Sequence, residues 1–195
     1  LVAFAVKAPL LPFHGWLRTA YTEAPPEVAA LLSGVVSKAA VYGLIWIVLP
    51  HFPGPVDDWR TVVLVLAAAG LVYGSLLAYR QPDVRGVIAY SSLGQMSLIV
   101  LGIFAADDLG LTGAVLHSVS HGLVSAAMFL LAGMLIQRTG TDRFAELGGL
   151  ARGRPALATI VMVVGMLTLA VPGSANFVGE FSILAGVFPH GWGYA

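Results

Sequence analysis

The chain of 195 residues contains no cysteine, so thiolate nucleophiles, disulfides and thiol-ligated iron–sulfur clusters are excluded within it. It is also poor in charge: Asp, Glu, Lys and Arg make up only 10% of the residues, too few to cover the surface of a soluble domain of this length. Ten basic and ten acidic residues balance to a formal net charge of zero, which leaves no basic field to attract nucleic acid. Missing too is a strand-turn-helix context for phosphate. The glycines of GMLIQRTGT and ELGGL read as loop or helix-end punctuation. What fills the chain instead is apolar, 58% of the residues.

A bilayer span needs about 20 mainly apolar residues. On that measure the sequence predicts an all-α integral membrane protein, a polytopic bundle of about six transmembrane helices, with residues 1–195 as a single domain. The expected spans run from Leu1 to Tyr21, Pro26 to Leu49, Arg60 to Tyr79, Val84 to Ala105, Leu111 to Ile136 and Ala156 to Phe188. No charged segment precedes the first span, so it does not read as a signal peptide. LVAFAVKAPLL at one end and FSILAGVFPHGWGYA at the other read as parts of a longer polytopic protein. Arginines cluster at Arg80–Arg85 and Arg138–Arg154, while the alternate loops carry Asp57-Asp58 and Asp107-Asp108. The positive-inside rule places both arginine loops, with the Arg18–Glu27 connection, on the cytoplasmic side.

Two of these spans are interrupted, the first by Pro9 and Pro12 just after Lys7, the sixth by Pro172-Gly173 before Glu180. Irregular backbone at membrane depth survives only where it lines a cavity or is buried in protein. Two such breaks, each within eight residues of an ionisable group, resemble the paired discontinuous helices of inverted-repeat transporters.

The ionisable residues within spans are the strongest functional signal. Lys7 and Lys38 lie inside long apolar runs, where a lysine costs roughly 2.5 to 3.5 kcal/mol by insertion scales and marks a functional site by default. Gln95 lies in the fourth span and Glu180 in the sixth. His117, His121 and Ser125, spaced by four in the fifth span, share one helix face. HSVSH offers no third ligand for a metal, and two histidines on one face cannot approach a haem iron from opposite sides, so neither group is expected. For His117 alone, a hydrogen-bonded core histidine and a functional group both fit the sequence. Lysine titrates near ~10.4 and histidine near ~6.5 in water. Desolvated groups of this kind are brought within reach of neutral pH and can pass protons through intervening waters. The whole pattern points to a protein that moves charge across a membrane, and a purely structural scaffold would have no use for two lysines at that depth.

FAVKAPLLPFHGWLRTAYTEAPPEVAALLSGVVSKAAVYGL resembles the seventh and eighth spans of the antiporter-like membrane subunits of respiratory complex I and of the related Mrp cation/proton antiporters. The resemblance continues through DVRGVIAYSSLGQMSLI, GAVLHSVSHGLVSAAMFLLAGML, DRFAELGGL and VPGSANFVGEF. It implies a piece covering spans seven to twelve of about fourteen. It also implies a proton-translocating role coupled to electron transfer in NADH–quinone oxidoreductase. Lys7 then matches the central proton carrier, Lys38 the connecting relay, His121 the eleventh-span histidine and Glu180 the residue at the second break. Glutamate at that last position is similar to the M-type subunits, as is Ser125, where other branches commonly carry lysine. An Mrp-type sodium/proton antiporter subunit or a membrane-bound hydrogenase subunit are the alternatives.

By the same resemblance the chain holds no redox centre. NADH, FMN, iron–sulfur clusters and quinone are expected on other subunits, and the partners are those subunits, the lipid bilayer and protons. An energy-transducing membrane, in bacteria the plasma membrane, is the expected location. Departures are specific: Gln95 replaces a common histidine, Arg18 and Thr19 replace a usual proline and aspartate, and Gly86 stands where a basic residue is common. The glutamate that pairs with the seventh-span lysine in the family would lie upstream of Leu1.

Overall fold

The computed structural model describes residues 1–188. The last seven residues, 189–195, where the sequence is expected to leave the membrane, lie outside the described part. Eight helices carry the described fold: α1 Val2–Lys7, α2 Leu17–Glu23, α3 Pro26–His51, α4 Pro53–Tyr79, α5 Val84–Phe104, α6 Asp108–Thr139, α7 Pro155–Thr168 and α8 Ala175–Val187. Four of them, α3 to α6, are long and apolar enough to cross a membrane. The other two expected spans are the interrupted pairs α1–α2 and α7–α8, in which no single helix is long enough to cross.

Both breaks fall where proline and glycine require them. Residues 8–16 are irregular around Pro9 and Pro12, and residues 169–174 hold Pro172 and Gly173, the latter with φ of +97°. Ser174 restarts the chain as the cap of α8, its hydroxyl accepting from the Phe177 amide at 3.2 Å. Asn176 ties the two halves together, its side-chain amide donating to the Leu167 carbonyl at 2.8 Å.

The third expected span starts earlier than its hydropathy suggests. Proline presets the φ of a first helical position, so Pro53 begins α4 directly after α3, and Asp57, Asp58 and Arg60 are helical rather than loop residues. Likewise Arg138 belongs to α6, and the expected loop begins only at Gly140.

Helix α5 is the centre of the bundle, with 78% of its apolar window buried against 33% for α4. It packs on α4 and α6, and α6 packs in turn on α3 and α8. Lipid gives no hydrophobic drive for helices to associate, so close approach over small residues does much of this work. Gly74 of α4 lies so near α5 that a Cβ there would stand 2.8 Å from the Gly94 amide nitrogen. Gly34 of α3 and Gly122 of α6 meet similarly, a Cβ on Gly122 falling 2.7 Å from the Gly34 carbonyl oxygen.

All the arginine-rich segments gather at one end of the bundle. Arg18 of α2 bonds Asp83 at 2.9 Å and Gln81 at 2.7 Å, and Asp83 also caps α5 through the Gly86 amide at 2.6 Å. Arg85 of α5 pairs with Asp142 at 2.9 Å. The unusual Arg18 therefore has a structural partner, and Gly86 is held where a Cβ would stand 2.7 Å from the Asp83 carboxylate.

Candidate functional site

The polar centre is built where α3 crosses α6. In α3 the backbone widens into a π turn at Leu32–Val36, which takes carbonyls out of ordinary helical pairing. The Ser33 carbonyl uses this freedom twice, accepting from the Lys38 ammonium at 2.7 Å and from the Ser37 hydroxyl at 2.8 Å. Lys38 also reaches the Ser37 hydroxyl, at 3.2 Å. Among the described residues no carboxylate pairs with this ammonium. An unpaired cation held only by carbonyl and hydroxyl oxygens is well placed to exchange a proton, because no fixed counter-charge locks it in place.

The Gly34–Gly122 contact lays the lysine stem across α6, with its Cε 3.5 Å from where a Gly122 Cβ would sit. The next residue along, His121, is 6% exposed, and one turn deeper His117 is fully buried. Their rings stack with centroids 6.0 Å apart, and the lysine charge acts electrostatically on both. The His117 Nε2 bonds the Gln95 side-chain oxygen at 2.6 Å. An amide oxygen only accepts, so with the amide oriented this way His117 carries a proton on Nε2. The Gln95 side chain also engages the carboxyl of Glu180. Glu180 comes within reach because α8 lies directly on α6, a Cβ on Gly179 falling 2.7 Å from that of His117.

The structure thus brings five of the sequence-predicted residues into one series: Lys38, His121, His117, Gln95 and Glu180. Lys7 is not part of it. It ends α1 on an exposed face and makes no hydrogen bond or ion pair among the described residues. Within the described residues no group of three or more His, Asp or Glu stands where it could hold a metal.

The whole of the chain, residues 1–195, matches the family described as NADH:quinone oxidoreductase/Mrp antiporter, TM. The chain belongs to this family. It is 36% identical over 187 residues to NADH-quinone oxidoreductase subunit M of Rickettsia prowazekii, covering 96% of this chain and 38% of that protein. It is 40% identical over 192 residues to the same-named subunit of Mycobacterium tuberculosis H37Rv, covering 98% of this chain and 35% of that protein. Respiratory complex I from Thermus thermophilus with bound NADH superposes with a TM-score of 0.92 at 32% identity, over 96% of this chain and 40% of the matched chain. The Mrp complex from Dietzia gives 0.90 at 31% identity, over 96% and 35%. The fold is therefore shared by chains of a respiratory complex I and of an Mrp complex, while these relatives in sequence carry the name subunit M.

Within this antiporter-like family fold the chain adds polar residues that ionisable-group reasoning overlooked. Ser33 of α3, Ser92 of α5 and Ser125 of α6 meet in one hydroxyl cluster: Ser33 bonds Ser125, and Ser92 lies 3.3 Å from Ser33 and 3.4 Å from Ser125. Ser125 was legible as part of the His117–His121 face, but Ser33 and Ser92 were not. Serines hide in spans because they are small and bond their own helix. A signal existed at Ser33 and Ser37, whose i, i+4 spacing leads to Lys38.

Gln95 is the joint of the series. Gln95→Leu is expected to leave the His117 Nε2 without a partner, costing about 1–3 kcal/mol, whereas Gln95→His restores a polar partner. Thermal melting of the purified protein should fall clearly for the leucine variant and little for the histidine variant. Equal melting temperatures for the two would show that the bond does not matter.

Proposed function

We propose that the chain is the central part of a proton-translocating M-type subunit of an NADH–quinone oxidoreductase. Protons pass along Lys38, His121, His117, Gln95 and Glu180, with Lys7 serving a preceding half of the path. The reading rests above all on Lys38, a lysine held at membrane depth by the opened backbone of a π turn and set against two buried histidines. Gln95 changes no charge itself. It can hold His117 and Glu180 in register while these two titrate in turn.

In this reading, electron transfer elsewhere in the complex drives a change in the charge state of the series, and each change is felt by its neighbours through the low-dielectric interior. NADH, FMN, iron–sulfur clusters and quinone belong to other subunits, and other membrane subunits are the chain's partners. The arginine-rich end faces the cytoplasm, and the membrane is the energy-transducing one, in bacteria the plasma membrane. Residues 1–195 act as one domain.

A cation/proton antiporter subunit is the reading to be separated from this one, since the Mrp structure fits nearly as well. Inside-out vesicles from the source cell, with and without the gene, decide between them. Loss of NADH-driven proton uptake on deletion, with sodium-driven proton exchange unchanged, is expected. Loss of sodium-driven exchange alone would assign the chain to an antiporter.

A further inference from the structure

We propose that Tyr21 of α2 is a positioning residue for Lys38: by fixing the Ser33 hydroxyl it aims the carbonyl that holds the lysine ammonium. The proposal rests on the translocation reading above and adds to it a residue from outside the ionisable series.

A π turn frees a carbonyl from ordinary helical pairing but does not aim it. The Ser33 carbonyl accepts from both Lys38 and Ser37, so its direction decides where the ammonium sits. The Ser33 side chain supplies that direction. Its hydroxyl bonds Ser125 of α6, lies 3.3 Å from the Ser92 hydroxyl of α5, and shares a further hydrogen bond with the Tyr21 hydroxyl of α2. Helices α2, α5 and α6 therefore all converge on one residue of the α3 turn. The serines bring short side chains that turn readily between rotamers. Tyr21 brings a ring, and the ring is held fast. It is 1% exposed and stands edge-on to Phe129 of α6, with centroids 5.3 Å apart and planes at 90°.

Helix α2 is anchored on the same side. Arg18, three residues before Tyr21 and so on one helix face with it, donates to Gln81 at 2.7 Å and to Asp83 at 2.9 Å. Just before α2, the Trp16 indole reaches back across the first break and donates to the Val6 carbonyl at 3.1 Å. The Trp16 ring also stands edge-on to Tyr21, at 6.3 Å. Val6 directly precedes Lys7, so the Trp16–Tyr21 contact links the first break to the cradle of Lys38.

A tyrosine that only filled the core could become phenylalanine without consequence for transport. Tyr21→Phe keeps the ring and removes the hydroxyl. It is introduced into the full-length subunit of the intact complex, beside Ser33→Ala, the combined variant and Lys38→Ala, and NADH-driven proton uptake per electron is measured in inside-out vesicles. Tyr21→Phe is expected to show at least half of the loss seen in Lys38→Ala. The combined variant is expected to lose no more than the larger single variant, because both changes remove the same bond. Tyr79→Phe is the control, since Tyr79 is 92% exposed, and it is expected to leave uptake unchanged. Normal uptake in Tyr21→Phe beside a clear loss in Lys38→Ala would overturn the proposal, as would losses that multiply in the combined variant.

Hydrogen exchange at amides 32–37 of the purified complex reads the turn without transport. It is expected to quicken at least tenfold in Tyr21→Phe while amides of α4 keep their rates. Unchanged exchange at 32–37, or exchange quickened throughout the bundle, would overturn the proposal even if uptake falls. Normal uptake in Lys38→Ala would mean that the translocation reading has failed, and the exchange measurement then judges Tyr21 by itself.

Discussion

Gly179→Ala is expected to strip the membrane of most folded protein, or to leave a form that melts at a much lower temperature. The added methyl would stand 2.7 Å from the Cβ of His117 and 2.9 Å from its Cα, and the same seam is closed again where a Cβ on Gly113 would meet the Ile183 amide nitrogen at 2.8 Å. These obstacles are backbone and Cβ atoms, which have no rotamer to escape into. The helices must separate instead, and overpacking of this kind costs about 1–3 kcal/mol. The separation would also draw Glu180 away from Gln95 and His117, so the proton transport proposed for the series is expected to be lost even from the protein that remains. Gly165→Ala is the control, since nothing lies within 4 Å of a Cβ there. Thermal melting monitored by size-exclusion chromatography checks the pair. Similar melting for Gly179→Ala and Gly165→Ala would show that α6 and α8 do not meet as described.

Much of this architecture was legible because membrane burial makes charge conspicuous. Lys38, His117, His121 and Glu180 stand out as ionisable groups inside apolar runs, and Pro172-Gly173 marks a break by removing an amide and permitting a positive φ. The sequence did not disclose the π turn at Leu32–Val36, since LSGVV contains nothing that an ordinary helix would refuse. The widened turn coincides with the bonds that Ser33 makes to Lys38, Ser37 and Ser125, which the local sequence does not show. The hydroxyl cluster was hidden for the same reason: Ser33 and Ser125 are 92 residues apart and meet where Gly34 lets α3 approach α6. At Asp57 and Asp58 hydropathy misled in the other direction, because charge was read as loop while Pro53 had already started a helix. The long apolar runs around both lysines, and then the resemblance to antiporter-like subunits, ranked Lys7 beside Lys38. In the structure Lys7 faces outward from α1 and stands apart from the series around Lys38.

Lys38→Ala has the largest expected effect on function. Its ammonium is the one charged group that joins the opened turn of α3 to the histidine face of α6. Alanine would empty that position without leaving a buried carboxylate unpaired, so the protein should still fold. Lys38→Arg sharpens the point. Arginine keeps the positive charge and the long stem but does not release its proton. If Lys38 served only to fill space or balance charge, arginine would restore activity.

The deciding measurement follows NADH-driven proton uptake and NADH–quinone electron transfer in the same inside-out vesicles, for the unaltered protein, Lys38→Ala and Lys38→Arg. Proton uptake per electron is expected to fall at least tenfold if this subunit's series supplies most of the measured uptake, and to a smaller fixed fraction if parallel subunits contribute, with arginine no better than alanine in either case. Uptake per electron unchanged in Lys38→Ala, or restored by Lys38→Arg, would contradict the assignment of Lys38 as a proton carrier.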